Sequence, residues 1–425
     1  MIRISFLVLF YLLFPVAIIW LCRKWTLLQK IGTIGVAYLI GLFIGSIGFF
    51  PDKSPQYELA LSGRSSIPST EIATLIDNGT LTSDDEYVNQ IATVQEMIPS
   101  IAVIIAFPLL LFSLNIRQWL RYARKGFLSI ILGLVAGLVM VTAGFFIWKD
   151  SFPESWKLAG MFEGMYTGGT PNFVAIQVAL KVDPNLFVIA TTYDIVVGAV
   201  LVLFFITIAP KIFRLILPLS PKVESVRSKI DIKATDPDDF SGILEKRKFL
   251  PLLKALGVAI LIVALSAGIA YLSKKIIPSA NFNAIIILSV TLLGIAASLF
   301  RQINGIEKSF QLGMYLILVF ALTVSSMADL DKIMRIEMSE LILFITWCYF
   351  GSMILHLILA RIFSIDADNF LITSTALIFS PPFVPLVAKS LDNKDVLVTG
   401  LTGGIIGLML GNLIGIPLAY FLQGF

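Results

Sequence analysis

Between residues 4 and 422 the sequence returns repeatedly to apolar runs of about twenty residues. A run of that length is a membrane-spanning helix, because about 20 residues rising 1.5 Å each cross a ~30 Å hydrocarbon core. In lipid the backbone must satisfy its own hydrogen bonds, which leaves such runs no spanning form but the helix. The runs fall at 4–22, 31–50, 98–114, 126–148 and 185–210, then at 250–272, 283–300, 311–328, 338–361 and 396–422. With 57% hydrophobic residues, 14% charged and a mean hydropathy of +0.90, an ordinary soluble domain is excluded. The expected fold is an all-α polytopic membrane protein, with the lipid bilayer as its first partner.

Composition also removes several functions. A net charge of +4 is too small to make nucleic acid a natural partner. Cys22 and Cys348 make no disulfide framework, and with His356 as the single histidine no ordinary zinc site assembles. There is neither a P-loop nor a His-Glu-x-x-His motif, and no visible nucleophile–base pair, so an enzyme is not expected. No cofactor is expected beyond Na⁺ or H⁺ as a coupling ion. The first run lacks a small-residue cleavage site and reads as a retained span, in a bacterial inner (plasma) membrane.

Two stretches break the pattern. Residues 156–182 contain Met161-Phe162-Glu163-Gly164-Met165-Tyr166-Thr167-Gly168-Gly169-Thr170-Pro171-Asn172-Phe173. Two glycines and a proline together argue against one continuous helix. Residues 369–391 contain Phe379-Ser380-Pro381-Pro382-Phe383, with Pro385 beyond. Each half of the chain thus has four spans, an interrupted segment and a last span. Duplicated halves with interruptions in matching positions are a sequence mark of secondary transporters. The domain boundaries follow: a first repeat at 1–210, a linker at 211–249 and a second repeat at 250–425.

Charge placement chooses between two topologies. Broken stretches that crossed the membrane would give six crossings per half, parallel repeats and a basic linker outside. Hairpins at 156–182 and 369–391 instead give five crossings, inverted repeats, a cytoplasmic linker and both termini outside. Basic loops 23–30 and 117–125 then also fall inside and the acidic loop 51–97 outside, which fits the positive-inside rule, although Lys274 and Lys275 fall outside. Each stretch divides into arms of roughly 10–13 residues, or ~15–20 Å, enough to reach mid-bilayer and return. A single kinked crossing remains the alternative. Loop 51–97 reads as a solvated cap with short helices near 69–77 and 83–97.

The candidate binding residues gather at the breaks. At the first tip, Thr167, Gly168, Gly169, Thr170 and Asn172 bring backbone groups and neutral oxygens to mid-depth. The arm after Pro171 offers amides to an anion, and the arm before it offers carbonyls to a cation. A proline-kinked helix packed by small residues is the bland alternative. Asp194 lies within the next span, where an acid is costly unless paired or hydrated, and shares a face with Thr191 and Gly198. It is the candidate for binding the coupling ion or relaying a proton. Glu163 either neutralises a cation or sits at an aqueous mouth near Lys157. At the second tip the candidates are Ser374, Thr375, Ser380, Pro381 and Pro382, with Thr399 and Thr402 as neutral counterparts of Thr191 and Asp194. His356 is either a proton relay or a packing residue. The glycines at 400, 403, 404, 407, 411 and 415, like Gly41 and Gly45, read as faces for close helix packing.

Tyr166-Thr167-Gly168-Gly169-Thr170-Pro171-Asn172-Phe173-Val174-Ala175, followed by Asp194-Ile195-Val196-Val197 and by His356 in the span before the second break, resembles the membrane proteins called domain of unknown function 819. That uncharacterised family is grouped with the cation:proton antiporter and anion transporter superfamily. Its architecture is similar to that of sodium/glutamate and 2-hydroxycarboxylate symporters. The resemblance implies inverted five-span repeats with two re-entrant hairpins, a transport domain around them, a scaffold domain from the early spans, and a homodimer. The second tip departs from it, since relatives carry Ala-Asn-x-Gly-Gly where this chain has Ile378-Phe379-Ser380-Pro381-Pro382.

The function expected is secondary active transport by alternating access: Na⁺- or H⁺-coupled symport of a small solute, anionic solutes included. A cation/proton antiporter is the alternative within transport, and a non-transporting membrane scaffold or sensor is the alternative of another class.

Overall fold

The computed structural model describes residues 4–425 other than 27, 29–31, 62–65, 114–125, 220–238, 244, 329–338, 380–382, 392 and 394–395. The described residues form helices and no strand. In the first half these are α1 (Ile4–Lys24), α2 (Thr33–Ser46), α3 (Pro55–Leu61), α4 (Ser69–Asp77), α5 (Ser83–Phe112), α6 (Phe127–Trp148), α7 (Ser155–Gly168), α8 (Thr170–Leu180), α9 (Pro184–Thr207) and α10 (Ala209–Ile216). In the second half they are α11 (Lys246–Ile276), α12 (Phe282–Ser298), α13 (Arg301–Asn304), α14 (Ser309–Ser326), α15 (Ser339–Ile362), α16 (Ala367–Phe379), α17 (Val384–Ser390) and α18 (Val396–Leu422). Among the described residues, eight helices (α1, α5, α6, α9, α11, α14, α15 and α18) are long and apolar enough to cross a membrane.

Span order repeats between the halves. A long helix is followed by a short apolar one (α2 with 14 residues, α12 with 17), two long ones, a two-armed segment and a last long one. The apolar faces also require lipid. Phe6, Leu9, Leu13, Val16 and Trp20 of α1 are all more than half exposed, a surface that would drive aggregation in water.

One boundary differs from the sequence reading. The segments expected separately at 83–97 and 98–114 are fused into one helix of 30 residues, about 45 Å long and so longer than the hydrocarbon core. Its start is a capping box: Thr82 N and Oγ1 donate to Asp85 Oδ2 over 2.9 and 2.8 Å, and Asp85 N donates to Thr82 Oγ1 over 3.3 Å. Burial would push the Asp85 carboxyl up, but donors on Ser54 and Thr82 outweigh it and hold it below its usual range. A carboxyl lowered by folding contributes stability above its unfolded pKa, and this is lost as pH falls through the folded value. Thr82→Ala should therefore cost about 1 kcal/mol, and Asp85→Asn should flatten the fall in melting temperature below about pH 4. An unchanged acid limb in that variant would remove Asp85 from the account.

By contact the chain divides into two compact units: Met1–Ala106 with Asp183–Val188 and Met314–Ile336, and Phe107–Val182 with Ile189–Gly313 and Glu337–Phe425. In the first unit Tyr11 Oη meets Ser326 Oγ at 2.6 Å and accepts from Gln95 Nε2 at 2.9 Å. A Cβ on Gly41 would lie 2.5 Å from Leu322 O, and one on Gly45 would lie 2.6 Å from Ser326 O, so these glycines let α2 meet α14 backbone to backbone. Residues 51–97 carry their own small core of Tyr57, Leu61, Ile67, Ile72, Leu81 and Val88. Asn89 ties that core to the strap before α4, accepting from Tyr57 Oη and Ile67 N at 2.8 and 2.7 Å.

In the second unit each half's last span packs on the other half's two-armed segment. α18 lies along α7 (Gly407 against Thr167 and Gly168), and α9 lies against α16 (Phe205 and Phe379 with ring centroids 5.7 Å apart).

Candidate functional site

The first broken stretch is a hairpin. Phe162 lies 5.2 Å from Phe173 ring to ring, and Lys157 Nζ donates to Lys181 O over 3.2 Å. In one straight helix residues 157 and 181 would stand about 36 Å apart. The turn is made at Gly169, whose φ of 81° lies in the left-handed region that glycine enters freely. Its feet are held by Lys157, which also pairs with Glu154. The second stretch also returns on itself: Asn393 Nδ2 donates to Asp368 Oδ2 over 2.9 Å, linking the start of α16 to the chain beyond α17. Ser380, Pro381 and Pro382 lie outside the described residues, and Thr375 donates its hydroxyl to Leu371 O of its own helix over 2.7 Å.

Glycines decide what the first tip can reach. A Cβ on Gly407 would stand 1.7 Å from Thr167 O, one on Gly168 would stand 2.4 Å from Gly407 O, and one on Gly415 would stand 2.5 Å from Gly160 O. Gly160, Gly164 and Gly168 thus mesh with Gly407, Gly411 and Gly415, each set at spacing four. Asn172 is drawn into this seam, where its Nδ2 donates to Gly407 O over 3.2 Å while its buried Oδ1 has no hydrogen-bond partner. The amides of Asn172 and Phe173 donate to Gly169 O, and Pro171 has none to offer. Thr170 is half-buried beside them.

Glu163 points the other way, toward α6. It is fully buried, and Lys157, at the foot of the hairpin, pairs with Glu154 instead. Thr167 Oγ1 donates to Glu163 Oε1 over 3.2 Å, and Oε2 has no hydrogen-bond partner. A Cβ on Gly137 would still be 3.7 Å from that oxygen.

Asp194 is buried on α9, on one face with Thr191 and Gly198. Tyr349 Oη donates to its Oδ1 over 2.7 Å. Tyr349 sits in a π-helical turn, Trp347–Gly351, that interrupts α15; such turns recur at functional sites. The Tyr349 ring packs edge-on against Tyr166, one turn after Glu163, with centroids 4.4 Å apart. Tyr166 and Tyr349 therefore stand between the two buried acids.

His356 anchors a third cluster. Its Nδ1 meets Ser374 Oγ at 2.9 Å, its Nε2 meets Ser129 Oγ at 3.3 Å, and Ser129 Oγ meets Thr373 Oγ1 at 2.7 Å. Thr373 donates its hydroxyl hydrogen back to Asn369 O at 2.7 Å. Ser129 must then donate to Thr373 and accept from His356, which assigns the ring proton to Nε2 and leaves Nδ1 to accept from Ser374. Beside this ring lies a cavity of about 20 Å³ whose lining includes Gly137, Tyr166, Ser352, His356 and Ser374, room for about one water. Ser352 Oγ, buried in its wall, has no hydrogen-bond partner.

The remaining candidates stand apart. Thr399 Cγ2 packs on Gly126, and Thr402 is buried further along α18. Among the described residues no group of three or more His, Cys, Asp or Glu side chains gathers to hold a metal ion.

A family profile described as "Protein of unknown function (DUF819)" matches residues 78–425, which takes in both hairpins, Asp194 and His356. The chain belongs to the DUF819 family. The chain is also similar to the uncharacterized membrane protein YjcL of Bacillus subtilis (strain 168), 25% identical over 341 residues that cover 76% of this chain and 82% of the relative. This DUF819 member is an integral membrane protein with many apolar helices.

Sequence reasoning missed Tyr349, Ser129, Ser352, Asn412 and Arg214. Asn412 Nδ2 donates to Thr291 Oγ1 over 3.1 Å. Arg214 of α10 donates to Asp368 Oδ1 from Nε and Nη2 over 3.0 and 2.9 Å, and from Nη2 to Leu391 O over 2.8 Å. A polar residue inside an apolar run was the available signal for Asn412 and Ser352. Ser129 carried the same signal, and Tyr349 gave none, being ordinary in a membrane helix.

Proposed function

We propose that this DUF819 protein is a secondary active transporter, not an enzyme, moving a small solute across the bacterial inner membrane by alternating access with Na⁺ or H⁺ as the coupling ion. The reading takes the halves as inverted five-span repeats, the linker at 211–249 as cytoplasmic, both termini as outside and the working form as a homodimer. One observation carries it. Two chain reversals stand beside buried acids, Glu163 and Asp194, in a unit interior where no lysine or arginine is buried among the described residues. Intramembrane acids without basic partners are expensive, and they mark ion and proton sites. Asp194 is the coupling residue, with Tyr349 holding its carboxyl.

The test is uptake into proteoliposomes under Na⁺ and pH gradients, across a panel of small carboxylates, amines and neutral solutes. Asp194→Asn should lower gradient-driven uptake at least about ten-fold, equivalent to ~1.4 kcal/mol of coupling. Undiminished uptake would remove Asp194 from the mechanism. The same acidic interior favours cation/proton antiport as the second reading, which dye-reported proton movement on adding Na⁺ or K⁺, with no organic solute present, would support. A scaffold or sensor would show neither activity.

A further inference from the structure

We propose that Glu163 and His356 form one proton-exchange site, joined by a single water in the cavity between α6, α7, α15 and α16. Applied to the transport reading, on which this last step rests, the site makes H⁺ the coupling ion, exchanged here beside the Asp194 carboxyl that Tyr349 holds.

Glu163 Oε2 and Ser352 Oγ are buried polar atoms without hydrogen-bond partners, a condition native interiors relieve with protons or water. Gly137 lines the cavity, and the space where its Cβ would stand faces Oε2 at 3.7 Å. A cavity of about 20 Å³ admits about one water. Met353, Leu377 and Ile378 make up much of the remaining lining. That wall is too poor in oxygen to replace the hydration shell of Na⁺, since hard cations take about six or more oxygen ligands.

The groups facing Glu163 add no positive charge. Tyr166 and Thr167 stand on its own helix, Cys348 and Tyr349 on the π turn, and Asp194 beyond Tyr349. His356 is the titratable base in the cavity lining, and Ser129, Thr373 and Ser374 surround it with hydroxyls. A bare carboxylate at Glu163 would be an uncompensated buried charge, so the proton resides on Oε2.

The transfer balances along the hydrogen bonds. The Oε2 proton passes to the water as the water gives one to Ser374 Oγ, and Ser374 gives its own to His356 Nδ1. The products are a Glu163 carboxylate and a His356 imidazolium whose Nε2–H still donates to Ser129 Oγ.

Infrared difference spectra of the purified full-length protein across pH test this without any solute. A protonated-carboxyl C=O band should be present in wild type and lose its Glu163 component in Glu163→Gln. His356→Gln and Gly137→Ala should each keep that component but displace its midpoint by about one pH unit, a ten-fold change in proton affinity. Gly137→Ala forces no neighbour to move, its nearest atom being 3.7 Å away, so it carries the test should His356→Gln fail to fold. A band that survives Glu163→Gln unchanged, or a midpoint that stays in place in the folded variants, overturns the shared site. Uptake assays on the same preparations separate the two readings. Na⁺-driven uptake untouched by Glu163→Gln would overturn H⁺ as the coupling ion and leave transport standing. A Glu163 band with no uptake of any solute in the panel would support the proton site and count against transport.

Discussion

Gly407→Ala should destabilise the protein by about 3 kcal/mol or more and leave little folded material on size exclusion. The added methyl would stand 1.7 Å from the carbonyl oxygen of Thr167 and 3.1 Å from Gly168 Cα. Both are backbone atoms at the tip of the first hairpin, so no rotamer change relieves the clash. α18 and α7 would have to separate, and Asn172 would lose its acceptor at Gly407 O. Gly257→Ala and Gly268→Ala on α11 are the controls, because a Cβ at either meets nothing within 4 Å. Alanine there replaces the most flexible residue in a helix interior, and stability should be unchanged or rise by about 0.5–1 kcal/mol. Melting curves in detergent decide: a Gly407→Ala variant that melts with wild type would mean the helices do not need this approach.

Arg214→Ala is expected to cost about 2–3 kcal/mol, and more than Asp368→Ala. Asp368 is 6% exposed and depends on Arg214 and Asn393 for its hydrogen bonds, whereas Arg214 is 38% exposed and can return to water. Removing the arginine strands a buried charge, and removing the acid does not. The magnitude stays below the 3–5 kcal/mol typical of a fully buried pair because solvent screens Arg214. The double variant should recover part of the loss, as residues in direct contact do not add. Hydrogen exchange should locate the effect in α16 and α17, whose ends Arg214 bridges through Asp368 and Leu391 O. Equal losses in the two single variants would argue against this asymmetry.

Much of the architecture was legible before any coordinates. Span positions follow from composition against the demands of lipid, and the structure places α1, α6, α9, α12, α15 and α18 within a few residues of the apolar runs. The break at the first tip was legible because Gly168, Gly169 and Pro171 together disfavour a continuous helix, and the structure turns the chain there at Gly169. The close-packing role of Gly407, Gly411 and Gly415 was legible from their spacing, but their partners Gly160 and Gly164 were hidden in a stretch that drew attention as a tip.

The sequence by itself determined which segments enter the membrane, where two of them break, and that the order of spans occurs twice. Those are local properties, set within windows of about twenty residues by hydropathy and backbone sterics. Only the tertiary structure decided which way the buried groups face. Glu163 and Asn172 share one hairpin yet point to α6 and α18, and Asp194 meets Tyr349 across 155 positions of sequence. Such pairings depend on the rotation of each helix about its axis, and one extra residue in the π turn shifts that rotation by about 100°. Hydropathy carries no signal for a shift of that kind within an apolar run, so the site emerges only when the helices are packed.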